Sequence, residues 1–361
     1  MKELLRAALG RSSTDPHHGE RGQAIGLAAV VMVAMVGLLA FVIDAGIFLT
    51  VRRDLQHAAD AAALAGVPYR VDDLGKAYLL AQEYATANAQ APGAVAARLC
   101  VLGEGEAPSH TISDGQQALG GGTVYTLTVT TRCVAGYTFG RILGLTNTPI
   151  SATATAALGA LKTAACVAPF GVDDVSDQPG KPPPFGYAFG EVVRLKIGDM
   201  AGGNSHILAL DGRGASAYKD WLAGNCGPGA SQSIGDTDQM DSEPGKKTGP
   251  TEQGLEARGL VKNPGSPYTL DCPDNLADVA PGGVVARPES VCLAAVPIVD
   301  SWVDVNGRSQ MAIKGFGLFF IVGYLKAGSD MYIDGAFVRS TVVGDIAAYS
   351  DFGTTVARLI R

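Results

Sequence analysis

Four carboxylates in one glycine-rich loop are the residues of this sequence with the clearest capacity to bind a metal ion. They lie in the stretch IGDTDQMDSEPGKKTGPT and are Asp236, Asp238, Asp241 and Glu243. Carboxylate oxygens on a flexible loop suit Ca²⁺, although the spacing here differs from that of an EF-hand. Lys246 and Lys247 follow and partly neutralise the loop. The sequence therefore leaves two interpretations open, a calcium site or an ordinary solvated turn.

The groups that the common hydrolase classes need are missing from the sequence. Beyond the N-terminal segment the histidines are His110 and His206, and neither a G-x-S-x-G elbow nor an H-E-x-x-H zinc motif is present. His206 lies in the strand-like stretch NSHILALDG, where a partly exposed strand residue is the expected role. We predict a protein that is not an enzyme and uses no cofactor. A hydrolase built on two carboxylates stays open, because such a pair needs no fixed spacing.

The charge balance argues against nucleic acid as a partner. The formal net charge is -7, and Lys and Arg are scattered beyond the first quarter of the chain. No basic surface that would gather phosphates is therefore expected. No small-molecule substrate is predicted either, so the expected partners are a membrane and other proteins.

The cysteines are typical of disulfide bonds formed outside the cytoplasm. They are even in number and without a C-x-x-C pair, so neither a zinc knuckle nor a redox motif is indicated. The candidates are Cys100, Cys133, Cys166, Cys226, Cys272 and Cys292. Pairing within compositional segments favours Cys100 with Cys133, Cys166 with Cys292 and Cys226 with Cys272. Buried free thiols are the alternative for some of them.

The elements that position these groups begin with an apolar segment near the N-terminus. Residues 24–43 carry no charge, which matches the roughly 20 residues that a helix needs to cross a bilayer. We predict a cytoplasmic tail at 1–20 and a transmembrane helix at 21–51. Basic residues precede the helix, so the remaining chain is expected outside the cytoplasm. A cleaved signal peptide is the alternative, but the flank after the span lacks a small-residue cleavage site.

Beyond the membrane the patterns predict an α+β fold. The first helix should continue to about Gly66, and a second should run from an N-cap at Asp72 to about Ala89. The stretches TVYTLTVTTRCV and TPISATATAALGAL alternate as antiparallel strands do, with the short helix YTFGRILGL between them. These elements form an α+β region at 52–164. Short strand candidates separated by Gly and Pro predict a β-rich, disulfide-containing domain at 165–361.

An alanine-rich helix follows the apolar run and is the candidate contact surface. In LQHAADAAALAG, methyl groups cover nearly every face and let another backbone approach closely. A plain stalk of good helix formers is the alternative. The residues that we expect to contact partner helices are Arg52, Arg53, Gln56, Ala58, Ala59, Ala62 and Ala63. Asp44, the acid beside the span, is expected at the interface facing water rather than as a buried functional charge.

Several of these stretches together resemble one known family. RGQA, DAG, RRDLQHAADAAALAG, YTFGRILGL and ISATATAAL resemble the N-terminal region of TadE/TadG-like proteins, the pseudopilin-type components of the Flp (tight-adherence) pilus machinery. The resemblance covers about residues 21–158, and LQHAADAAALAG is its most specific part. It implies a lipid-embedded helix that continues into an alanine-rich helix beside a small pilin-like antiparallel sheet.

One departure from the family pattern bears on processing. Pilins and many TadE proteins place a glutamate early in the apolar segment, whereas residues 23–27 of this chain offer no acid. The TadG-like form, an uncleaved anchored accessory, therefore fits better. CVAPFGV and GFGLFFIVGYL also resemble the C-terminal halves of secreted TadG-like proteins.

The resemblance implies a non-enzymatic, membrane-anchored component of Flp/Tad-type pilus assembly. Such a protein acts by packing its helix against other pilus-assembly proteins or pseudopilins. We expect a single-pass protein of the bacterial cell membrane, with a cytoplasmic N-terminus and an extracytoplasmic C-terminal domain. The alternative is a membrane-tethered surface adhesin or envelope-binding module, in which the helix is only a tether.

Overall fold

The computed structural model describes residues 20–91, 93–100, 109–120, 122–197, 205–210, 214–227, 230–235, 241–242, 247–299 and 310–360. These residues form two compact units. The first unit takes its described residues from Met1–Ala58, Thr86–Ser109 and Thr131–Ala152. The second takes them from Ala59–Ala85, His110–Thr130 and Thr153–Arg361.

The helices confirm one continuous N-terminal helix, whereas nearly all of the predicted cytoplasmic tail at 1–20 lies outside the described residues. Helix α1 runs from Glu20 to Gly66 without a break, so the apolar and alanine-rich stretches are one element. The 3₁₀ turn Val67–Tyr69 follows, because Pro68 cannot continue an α-helix. The other helices are α2 Leu74–Ala89, α3 Val95–Leu99, α4 Ala215–Leu222, α5 Thr248–Arg258 and α6 Leu276–Val279, with further 3₁₀ turns at Gly140–Leu143 and Pro281–Gly283.

The strands make the fold α+β, as predicted. They are β1 Ser109–Leu119, β2 Gly122–Gly136, β3 Asn147–Leu161, β4 Thr163–Ala165, β5 Phe170–Asp173, β6 Val192–Ile197, β7 Ser205–Ala209, β8 Ser231–Ser233, β9 Asp241–Ser242, β10 Leu270–Asp271, β11 Leu293–Val299, β12 Ile313–Ala327, β13 Asp330–Val338, β14 Ser340–Val342, β15 Ile346–Ala347 and β16 Thr354–Ile360. Strands β2 and β3 are the two that alternation predicts.

One sheet joins the N-terminal strands to the end of the chain. Its order is β1-β2-β3-β16-β14, and β15 also pairs with β3. Strand β16 pairs antiparallel with β3, with Thr355 opposite Ala160. A strand from the predicted 165–361 domain thus lies in the sheet of the predicted 52–164 region. The Oγ1 atoms of Thr128 and Thr155 are 2.9 Å apart and link β2 to β3.

The other large sheet closes on itself. Strands β12, β11, β5, β7, β6 and β13 are hydrogen-bonded in that order, and β13 pairs back with β12. Side chains such as Leu195, Val296 and Phe319 fill the interior of this ring. Gly335 allows two strands to meet closely, since a Cβ there would lie 2.3 Å from the carbonyl oxygen of Phe320. The β-rich region predicted from short apolar runs is therefore a packed closed ring.

Three disulfide bonds cross-link the described chain. Cys100–Cys133 is the pair that was predicted. The predictions for the other four cysteines are wrong, because the bonds are Cys166–Cys226 and Cys272–Cys292. Strand pairing is the reason: the Cys272 N–H donates to the Val322 carbonyl, and the Ile321 N–H donates to the Cys292 carbonyl, each at 2.9 Å. Strand β12 thus brings together two cysteines that lie in different compositional segments.

The start of α2 differs by one residue from the prediction. Asp73 rather than Asp72 caps the helix, because its Oδ1 accepts the Lys76 N–H at 2.9 Å. The Asp72 carboxylate instead accepts two hydrogen bonds from the Arg339 guanidinium, at 3.0 and 2.8 Å. Arg339 also donates to Asp351 at 2.9 Å. A contact between distant parts of the sequence thus takes Asp72 away from the cap.

A small polar network joins α2 to β1. Asp114 accepts a hydrogen bond from the Tyr78 hydroxyl at 2.6 Å, and Arg70 forms an ion pair with the same carboxylate. The guanidinium of Arg70 also lies over the Tyr125 ring, 5.5 Å from its centroid. The Tyr78 hydrogen bond and the Arg70 charge hold the pKa of Asp114 below its ordinary value, against the effect of desolvation.

Replacing Asp114 by Asn is expected to lower the free energy of unfolding by about 1 kcal/mol at neutral pH, because the charge attraction to Arg70 is lost. The lowered pKa sets the sign of the pH dependence. The ionised carboxylate stabilises the fold above its unfolded-state pKa, and this stabilisation disappears as the pH falls through the folded-state pKa. Urea unfolding of both proteins from neutral to acid pH measures the difference. A difference that stays constant over this range would contradict the assignment.

Candidate functional site

The first half of α1 presents an apolar surface. Every large hydrophobic side chain from residue 25 to residue 43 is exposed within this structure. By length and composition this helix can cross a membrane, and none of its most apolar window is buried. The segment is therefore the candidate membrane anchor, as predicted.

Asp44 ends this apolar surface and is buried, which corrects the expectation that it faces water. Only 4% of the residue is exposed. Its carboxylate accepts the N–H groups of Thr138 at 2.9 Å, Phe139 at 3.1 and 3.2 Å, and Gly140 at 2.7 Å. Thr138 and Phe139 precede the 3₁₀ turn Gly140–Leu143 and Gly140 begins it, and the first N–H groups of a helical turn have no partner within the turn. We call this set of hydrogen bonds the Asp44 clasp.

A second aspartate of α1 makes the same kind of contact. One oxygen of Asp54 accepts the N–H groups of Val95 at 2.7 Å and Ala96 at 3.1 Å, where α3 begins. Thr131 donates its hydroxyl to the Leu55 carbonyl at 2.9 Å. Together with the Asp44 clasp, these bonds hold α1 in the first unit.

An open apolar groove lies between α1 and the segment 137–151. It has a volume of about 970 Å³. Its lining includes Val33, Gly37 and Phe41 of α1 and Ile142, Leu143 and Leu145 of the facing segment. Asp44 and Arg52 are charged residues among the described lining, and the hydrogen bonds of the clasp stabilise the negative charge of Asp44. The groove can therefore hold an apolar chain beside a cationic group.

The alanines predicted to meet partner helices are enclosed by this chain itself. Those with no exposed surface are Ala58, Ala59, Ala62 and Ala63. The last three pack in one cluster with Ala81 and Ala85 of α2. At the end of α1, a Cβ on Gly66 would lie 2.6 Å from the Ala77 carbonyl oxygen. The close backbone approach that the alanine pattern predicts therefore occurs, and α2 of the same chain is the element that makes it.

The polar residues of the predicted contact set lie nearer the surface. Arg52 and Arg53 are exposed, and Gln56 is half-buried. Arg52 also borders the apolar groove. The surface that α1 offers to lipid or to another protein thus includes its apolar half and these two arginines.

Calcium binding by the four predicted carboxylates stays a prediction. Asp236, Asp238 and Glu243 lie outside the described residues, as does the side chain of Asp241, whose backbone pairs with Ala209 in β9 and β7. Cys272, Asp274 and Cys292 do come close enough together to suggest a metal site. Both sulfurs are engaged in one disulfide bond, however, and are not free to bind an ion.

Of the two histidines, only His110 has a described side chain. His206 lies in β7 opposite Gly171 in β5, and its side chain is outside the described residues. Both ring nitrogens of His110 are buried without a hydrogen-bond partner, and burial lowers the pKa of this imidazole. No described side chain therefore orients this ring, as a partner residue does for many catalytic histidines.

Comparisons with known proteins point to α1 and α2. Comparison with curated proteins and with solved structures gave no match. A family model does match residues 22–83, and it is described as Flp pilus-assembly TadE/G-like. These residues comprise the exposed apolar half of α1, its buried alanine-rich half and much of α2. Residues 22–83 are therefore similar to the TadE/G-like family, which confirms the resemblance over this part of the chain.

Proposed function

We propose that this protein is a non-enzymatic, membrane-anchored component of Flp/Tad-type pilus assembly that packs its helix against pilus-machinery partners. One observation carries the proposal: the TadE/G-like match at residues 22–83 coincides with a helix whose apolar half is exposed and whose alanine half is enclosed. So much exposed apolar surface is unfavourable in water. It requires lipid or other apolar helices around residues 25–43.

The proposed location is the bacterial cell membrane, crossed once, with the N-terminus in the cytoplasm. Basic residues before the apolar segment support this orientation. Three disulfide bonds in the described chain support an extracytoplasmic C-terminal region, because such bonds persist in oxidising compartments.

We place the contact face on the side of α1 that does not line the groove. Met35, Leu39 and Val42 are exposed and share one side of the helix, because they are three or four residues apart. Gly46 continues this strip, and a Cβ there would meet no atom within 4 Å. A small residue at such a position lets a partner helix approach closely. Arg53, also exposed, lies near this strip where the helix leaves the lipid.

A photo-crosslinking amino acid in place of Leu39 tests this contact in the native host. We expect cross-links to proteins of the pilus machinery, identified by mass spectrometry. The matched control is Leu79 of α2, which is 65% exposed, compared with 57% for Leu39, and lies outside the apolar half of α1. It should give none of these cross-links. Cross-links from Leu39 to lipid alone, in cells that assemble pili, would argue against helix packing.

A further inference from the structure

Residues 137–145, which we call the apolar loop, expose hydrophobic side chains. Ile142 is 84% exposed, Leu143 is 82% exposed, and Leu145 and Phe139 are also exposed. None of the residues in Gly140–Leu143 is buried. A cluster of this kind is unfavourable in water and marks contact with a membrane or another protein. The apolar loop therefore needs a covering that the described residues of its own unit do not supply.

The Asp44 clasp fixes the apolar loop beside α1. Three consecutive backbone N–H groups of the loop bind the carboxylate, with the shortest bond, from Gly140, at 2.7 Å. Phe48 packs edge-to-face against Tyr137, with ring centroids 4.7 Å apart. The loop is thus held at the level of Asp44, where the apolar run of α1 ends.

The length of the apolar run places this level at the edge of a bilayer. Residues 25–43 rise about 28 Å at about 1.5 Å per residue, close to the roughly 30 Å of hydrocarbon in a membrane. Asp44 then stands at the boundary. Ile142 and Leu143 line a groove whose α1 wall reaches from Arg52 past Asp44 to Val33, within the apolar run. We infer that the tip of the apolar loop extends along this groove toward the hydrocarbon.

We propose that the apolar loop dips into the leaflet at this end of α1, and that the groove beside it holds a phospholipid acyl chain. This inference rests on the membrane anchor of the proposed function. Arg141 of the loop is exposed and Arg52 borders the groove. Cationic side chains beside an apolar surface bind anionic lipid headgroups. The groove therefore holds the acyl chain of the lipid, and arginine binds its phosphate.

The position of the groove favours a lipid chain over a partner helix. Its α1 wall runs from Val33 to Arg52 and so passes the level of Asp44, with apolar residues on one side and an arginine on the other. A phospholipid has the same division between an apolar chain and an anionic phosphate. An acyl chain is narrower than a helix and surrounds any membrane anchor without the need for a further protein. A second copy of this chain in the groove is therefore the competing occupant that the test must exclude.

An environment-sensitive fluorophore at position 142 tests the position of the loop. The six cysteines of the chain are all disulfide-bonded, so Ile142→Cys introduces a single free thiol at an exposed site. The labelled full-length protein is reconstituted in phosphatidylethanolamine and phosphatidylglycerol vesicles that carry nitroxides near the headgroup end of the acyl chain. We expect these nitroxides to lower the fluorescence by about two-fold.

Two matched probes separate the loop from the anchor. Leu39→Cys on the apolar half of α1 should be quenched, and Val343→Cys, fully exposed in the second unit, should not. Quenching at position 39 without quenching at position 142 overturns the loop inference and leaves the anchor intact. If neither position is quenched, the membrane anchor itself is contradicted. A probe at position 142 that is shielded from water yet unquenched indicates a second copy of this chain and also overturns the inference.

Discussion

Replacing Asp44 by Ala is expected to speed hydrogen exchange at the Thr138, Phe139 and Gly140 amides by about 100-fold or more. All three N–H groups donate to this one carboxylate. A hydrogen bond to a charged acceptor contributes about 1.5–3 kcal/mol, and losing several at once should open the loop locally. Hydrogen-exchange mass spectrometry of the full-length protein in detergent micelles measures the effect.

Asp54→Ala is the matched control for this experiment. It removes the same charge from the same helix and frees the amides of Val95 and Ala96 instead. Protection at residues 138–140 should then be unchanged. Asp44→Asn should give an intermediate rate, because its amide group keeps one acceptor oxygen. If exchange at residues 138–140 is the same in Asp44→Ala as in the unmodified protein, the clasp does not hold the loop.

Replacing Ala59 and Ala62 together by Leu is expected to lower the free energy of unfolding by about 2–6 kcal/mol. Both alanines are fully buried and pack in one cluster with Leu127 and Ala81. Overpacking costs about 1–3 kcal/mol at each such site, because neighbours must leave their preferred rotamers. Thermal unfolding of the full-length protein in detergent measures this loss.

Ala87→Leu provides the control, since Ala87 lies on α2 and is exposed. Its effect should stay within about 0.5 kcal/mol. The result also decides the role of the alanine pattern. If the double replacement leaves stability unchanged but abolishes cross-links to partners, the alanines serve another protein rather than this fold.

The features that were predicted correctly depend on local sequence patterns. Helix α1 ends at Gly66 because Gly and Pro follow an unbroken run of helix formers. Strands β2 and β3 were predicted because side chains alternate along them. The candidate membrane span follows from length and composition alone.

The features that were missed depend on contacts between distant residues. Strand β1 has a largely polar sequence, and β16 joins the sheet by pairing with β3. Asp44 is buried because its partners lie 94 to 96 residues further along the chain. Both incorrect disulfide predictions followed composition, whereas strand pairing decides which cysteines meet. A sequence pattern reports none of these partners.

The candidate site likewise has a part that local sequence patterns predict and a part that depends on contacts between distant residues. The alanine pattern indicates correctly that a backbone approaches closely, but it does not say whose. Within this chain α2 packs over Ala59, Ala62 and Ala63, and contact of these alanines with a partner helix stays a prediction. The apolar groove was not predicted, although exposed Ile142 and Leu143 in the stretch YTFGRILGL are a signal for it. Apolar residues in a short turn are informative when nothing in the turn buries them.

Counting surface pili by electron microscopy tests the central claim most directly. The gene is deleted in its own host and restored either unchanged or with residues 25–43 replaced by an unrelated transmembrane helix of equal length. Asp44 is retained in both forms, so that the clasp is not disturbed, and equal protein levels are verified. The proposal predicts that deletion abolishes pili and that only the native helix restores them. Unchanged pilus number after deletion, or full restoration by the replaced helix, would contradict a role in assembly through helix packing.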